Sequence, residues 1–118
     1  MKNKFNAPIF LQSIFLMCLF YLLSISSIQG MANVSSDTLA ARLYFENAKA
    51  KVDLSQLDSA IYFYNKSAQI YNEFNLHEKH ADCLNSIGEQ YFYLGQLEKA
   101  DAYTHQALQI ALAYDLAH

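Results

Sequence analysis

The stretch His77-Glu78-Lys79-His80-Ala81-Asp82-Cys83 gathers residue types from which zinc sites and hydrolytic centres are built. His77, His80 and Cys83 follow one another at intervals of three, so on a helix each neighbouring pair shares a face. A zinc-dependent hydrolase with two helical histidines needs them four apart, with a glutamate directly after the first, so that both imidazoles reach one ion. Here the histidine spacing is three, and the one further ligand candidate is His105. The stretch therefore reads as a polar turn between two structural units, with His77 in the loop. Cys83 reads as a small apolar residue buried on a helix, the usual place for a free thiol. Other chemistry has less support: there is no nucleophile elbow, no glycine-rich phosphate loop and no acid pair in a cleft. No metal, cofactor or enzymatic activity is expected.

The residues before this stretch divide by composition. Lys2 and Lys4 precede an uncharged apolar run, Ile9 to Ile25, and small residues follow in Ser-Ser-Ile-Gln-Gly-Met-Ala. A positive start, an apolar run and a small-residue exit describe a secretory signal peptide over residues 1–30, with Gly30 or Ala32 as the last residue removed. The alternative is a retained inner-membrane anchor, since the run is near the lower length limit for a span. Either way the rest is exported, periplasmic or extracellular, and touches a membrane only through this segment. Loss of Lys2 and Lys4 leaves six basic residues against 11 acidic ones, a charge of −5. Such a surface argues against nucleic acid, which calls for clustered Lys and Arg. With Cys18 in the leader, Cys83 has no partner for an intrachain disulfide.

Beyond a linker at 31–37, the chain is rich in helix-forming residues and has a single Pro and three Gly in its 118 residues. Displacement by forty aligns Gln-Leu-Asp-Ser-Ala (56–60) with Gln-Leu-Glu-Lys-Ala (96–100), Gln69-Ile70 with Gln109-Ile110, and Ala41 with Ala81. Small residues coincide too: Ala48 with Gly88, Ala60 with Ala100, and Ser67 with Ala107. A period of this length marks a stacked array of similar supersecondary units, although identity between the two copies is modest. Each unit contains two helices. Apolar spacing places Leu84, Ile87, Gly88 and Tyr91 on one face of a helix over 80–93, stopped by Gly95, and a second helix covers 96–114. The first unit repeats this with helices over 37–52 and 56–74, the former opened by the capping candidates Ser35, Ser36 and Asp37. Small residues stand where the two helices cross closely, and aromatics fill the space beside them.

This pattern resembles the tetratricopeptide repeat family in its forty-residue form. Leu84, Ile87, Gly88, Tyr91, Gly95, Ala100, Tyr103, Ala107 and Leu108 carry the likeness in the second unit (78–118). The first unit (38–77) departs from it, with Ala48 for the glycine, Lys51 for an aromatic and Ser55 for the turn glycine. The resemblance implies an all-α fold, a right-handed α-α superhelix of two helical hairpins behind the hydrophobic leader helix. It also implies a protein-interaction scaffold that binds a protein or peptide. An export leader before such repeats is similar to the amino-terminal sensory part of bacterial regulators, membrane histidine kinases among them, which makes a sensory fragment the alternative.

By the same resemblance, the first helix of each unit lines a binding surface. The residues beside the packing stripe are Asn85, Glu89 and Phe92 in the second unit and Phe45, Lys49 and Val52 in the first, with Arg42 and Asp82 at the edge. Ala107, Ile110, Ala111 and Tyr114 are expected to leave an apolar face at the carboxyl end through which the chain self-associates.

Overall fold

The computed structural model describes the backbone of residues 6–115 and the side chains of 9, 11–24 and 36–115. All secondary structure among these residues is helical: α1 (Asn6–Asp53), α2 (Leu57–Glu73), α3 (His77–Tyr93) and α4 (Leu97–Ala113). The chain divides into two units, Met1–Ser35 and Ser36–His118.

In the first unit the described apolar side chains, among them Leu11, Phe15, Met17 and Phe20, are exposed on no single side of α1. No helix is long and apolar enough to cross a membrane, among the described residues. Lys2, Lys4 and the side chains at the expected cleavage positions lie outside the described residues. The helix expected to open at Asp37 instead continues unbroken from Asn6, through the segment read as a linker. The physical reason is the absence of proline between Ile9 and Asp53. Gly30 alone costs a helix only about 1 kcal/mol relative to Ala, which flanking helix formers offset.

The second unit is governed by one turn used repeatedly. Helices α2, α3 and α4 are each 17 residues long, separated by three-residue connections. Ser55, Asn75 and Gly95 have left-handed backbones, with φ of 58°, 55° and 74°, and Asp115 follows at 53°. These positions are twenty apart, half the sequence repeat. At each of the first three, the left-handed residue donates its N–H to the carbonyl three back, as Ser55 does to Val52 at 2.8 Å. The next residue donates to the carbonyl five back: Gln56 to Lys51, Leu76 to Tyr71 and Gln96 to Tyr91, at 2.8, 2.9 and 2.9 Å. This is the Schellman arrangement, which satisfies the last carbonyls of one helix and turns the chain into the next. The following helices then start without a side-chain cap, at Gln56, Leu76 and Gln96. Helix α3 accordingly opens at His77, three residues earlier than the sequence spacing suggests, and His77 lies in a helix rather than a loop.

Helix α3 is the centre of the unit, packing on α2 on one side and α4 on the other. Leu84 and Ile87 of α3 join Ala48 of α1, Ala60, Ile61 and Tyr64 of α2, and Ala107 of α4 in one core. A second cluster joins Ala41, Ala68, Tyr71 and Cys83. A buried chain of hydrogen bonds ties three helices together, the Cys83 thiol donating to Ser67 Oγ at 3.4 Å and Ser67 Oγ donating to the Ala41 carbonyl at 2.8 Å. Between α3 and α4 the approach is closest at Gly88. A Cβ there would sit 2.7 Å from Thr104 Oγ1 and 3.1 Å from the Ala100 carbonyl oxygen. The stacked rings of Tyr91 and Tyr103, 5.5 Å apart, fill the space beside this crossing.

The last helix meets its expected burial pattern in part. Ala107 is buried and Ile110 packs against the core, because both point back at α3. Tyr114 lies face to face on His77, with ring centroids 3.5 Å apart, and closes the α3–α4 hairpin at its open end. The large apolar residues exposed along α4 and at its end are Leu97, Leu108, Leu112 and Tyr114.

Candidate functional site

The cluster around His77 is occupied with packing. Among the described residues no group of three or more His, Cys, Asp or Glu side chains is placed to hold a metal ion. His77 is stacked on Tyr114, and burial, with His77 nearby, holds the His80 imidazole below its ordinary value of 6.5. Burial pushes the Cys83 thiol up to about 11 despite its hydrogen bond to Ser67, so at neutral pH it is not a thiolate. His105 instead lies 3.2 Å from the Gln109 amide on the exposed side of α4.

An open groove of about 620 Å³ runs between α3 and α4. Helix α3 supplies Asn85, Glu89, Phe92 and Tyr93 along one wall, and α4 supplies Leu97, Asp101 and Thr104 along the other. Its floor is Gly88 and Ala100, the two buried small residues at the helix crossing. Helical spacing explains the two walls, since 85, 89 and 92 are neighbours on one face of α3, as 97, 101 and 104 are on α4. The rim is aromatic and aliphatic, with Phe92, Tyr93 and Leu97 each about three-fifths exposed. The interior is polar and acidic. Tyr93 donates its hydroxyl to Glu89 Oε1 at 3.2 Å. The one ion pair among the described residues joins Lys49 to Glu46 on α1, at 3.4 Å. Lys99, on α4, lies over the Tyr91 ring at 5.2 Å and does not line the groove.

Of the candidate surface residues, the structure brings together Asn85, Glu89 and Phe92. Those of the first repeat are placed differently. Phe45 is half-buried, meets Tyr64 edge to face at 5.1 Å and packs against both core clusters. Val52 also packs on the core. Arg42, Lys49 and Asp82 are exposed and outside the groove. Tyr93, Leu97, Asp101 and Thr104 escaped sequence reasoning because it looked only to the first helix of each unit. The available signal was a change of chemistry between repeats: Ile61 and Tyr64 of the first repeat become Asp101 and Thr104 in the second.

The groove sets two carboxylates, an amide and hydroxyls beside exposed aromatic rings. No protein-family model, curated protein or solved structure matches the chain.

Proposed function

We propose that the chain is a non-catalytic interaction module, a tetratricopeptide-type pair of hairpins that binds a protein segment in the α3/α4 groove. The observation that carries the reading is the open groove, aromatic at its rim and floored by small residues. An exposed cluster of large apolar side chains beside polar ones is the usual character of a protein-binding patch. The superhelical arrangement is part of the proposal and rests on the forty-residue repeat. The non-catalytic reading rests on the missing motifs. The test is a photo-crosslinking residue placed at Asp101 or Glu89 in the full chain, with Lys66 on α2 as control. Discrete crosslinked species from the groove positions and none from the control support the reading. Equal labelling at all three, or none, refutes it.

Export belongs to the same proposal and rests on Lys2, Lys4 and the Ile9–Ile25 run. Mass spectrometry of the exported protein is expected to show a new amino terminus at Met31 or Asn33. Full-length chain in the membrane fraction would support the anchored form instead. Retention of the intact chain in the cytoplasm would exclude both.

A further inference from the structure

The two repeats carry the same groove, and in the first one the occupant is visible. Helix α3 packs on α2, and its Leu84 and Ile87 share one core cluster with Ala48 of α1 and Ala60, Ile61 and Tyr64 of α2, against which Phe45 packs. Displaced by forty residues, these positions become Gly88, Ala100, Asp101, Thr104 and Asn85, all of which line the α3/α4 groove. The floor is therefore kept, small for small. The three large apolar residues are not: Phe45 becomes Asn85, Ile61 becomes Asp101 and Tyr64 becomes Thr104. Lys49 becomes Glu89 as well, while Val52 and Asp53 become Phe92 and Tyr93. Ile61 and Tyr64 are buried, whereas Asp101 and Thr104 are exposed.

A helix seated as α3 is seated would bring its apolar face onto Asp101. Burying that carboxylate against Leu or Ile, without a partner, costs more than the contact returns. A cation at the same place reverses the sign, because a carboxylate is well served by a Lys or Arg donor. We propose that the α3/α4 groove seats a cationic amphipathic helix of a partner protein, its Lys or Arg between Glu89 and Asp101 and its apolar residues on Phe92, Tyr93 and Leu97. This inference rests on the interaction-module reading and adds the chemistry of the partner.

A second copy of the chain fits less well. A symmetric pairing would set Glu89 and Asp101 of one copy against the same acids of the other. In a head-to-tail pairing, the residues of α1 equivalent to Cys83, Leu84 and Ile87 are Leu43, Tyr44 and Asn47, none of them a cation.

The test uses the full chain in a neutral detergent and two fluorescent peptides held helical by a bridge on their outer side. One has the sequence of α3, 17 residues, and the other is the same with I87K. The lysine peptide is expected to bind at least about tenfold more tightly than the parent, the scale of one well-placed charge pair, and to weaken as salt is raised. The double variant Asp101→Ile, Thr104→Tyr, which restores the chemistry of the first groove, is expected to reverse the preference. Both substitutions fall on exposed positions, and helical content by circular dichroism checks that they fold. Tighter binding of the parent peptide to the native chain would overturn the inference while leaving an interaction groove in place. Binding of neither peptide would overturn it too. Self-association of the full chain, abolished by Asp101→Ala, would assign the groove to a second copy and overturn it.

Discussion

Gly88→Leu is expected to destabilise the folded repeats by about 3 kcal/mol, the upper end of the range for overpacking a tight contact. For a unit of this size that lowers the melting temperature by roughly 4–8 °C per kcal/mol. The effect is steric and begins at the first carbon. A Cβ on Gly88 would stand 2.7 Å from Thr104 Oγ1 and 3.1 Å from the Ala100 carbonyl oxygen. The threonine hydroxyl can rotate away, but the carbonyl belongs to the backbone of α4 and moves only with the helix. Leucine adds three further carbons at the same point. Two controls separate this cause from helix propensity, which by itself favours Leu over Gly. Glu89→Leu, one residue on and exposed, is expected to change stability by no more than about 0.5 kcal/mol. Gly88→Ala combined with Thr104→Ala removes the shorter of the two contacts, so it is expected to be more stable than Gly88→Ala alone. Thermal melts of these variants followed by circular dichroism decide the matter. Equal stability of Gly88→Leu and Glu89→Leu would remove the close crossing from the account of this fold.

The features legible in the sequence are those fixed by local geometry repeated at forty residues. Close helix crossings admit only small side chains, so Ala48 and Gly88, Ala60 and Ala100, and Ser67 and Ala107 stand out when the chain is laid on itself, and all six are buried. The twenty-residue rhythm of the turns was harder to see. Its left-handed position is filled by Ser55, Asn75, Gly95 and Asp115, four different residues, and only glycine advertises that conformation strongly. The start of α3 at His77 was hidden for a related reason, since the preceding Schellman turn, and not a capping side chain, sets where the helix begins. The face of α4 depended on rotation by one residue. Ile110 turns to the core and Leu108 to solvent, a distinction that an apolar run of Ala, Leu and Ile does not announce. The second wall of the groove went unread because Asp101 and Thr104 are the ordinary residues of a solvated helix side. Their meaning appears only beside Ile61 and Tyr64, once the structure shows what those two residues cover.

Ile87→Ala is expected to cost about 2–5 kcal/mol, the largest effect of any single truncation in the second unit. Ile87 is fully buried, and its side chain lies in the one cluster to which α1, α2, α3 and α4 all contribute. Three of the buried neighbours are Ala48, Ala60 and Ala107, which have no rotamers with which to fill the space left behind. Collapse of the cavity would need movement of whole helices, and the crossings at Gly88 and Ala100 oppose that. The loss is therefore expected near the upper part of the range. Leu112→Ala, on a side chain two-thirds exposed, should change stability by no more than about 0.5 kcal/mol. The same argument predicts how the unit unfolds. Because Ile87 belongs to both hairpin contacts of α3, its truncation weakens the joint between the two repeats as much as either repeat. Urea unfolding of Ile87→Ala, followed by circular dichroism and by the reactivity of the buried Cys83 thiol, is expected to give one transition at lower denaturant, with both signals coincident. If Cys83 becomes reactive well before helix is lost, α3 separates from α1 and α2 first, and the hairpins are independent units joined only by their turn. A groove built on the second hairpin alone would then keep its binding when the first hairpin is destabilised. With a single coincident transition, any substitution that loosens Ile61 or Tyr64 should weaken the binding proposed at Asp101, although neither residue lines the groove.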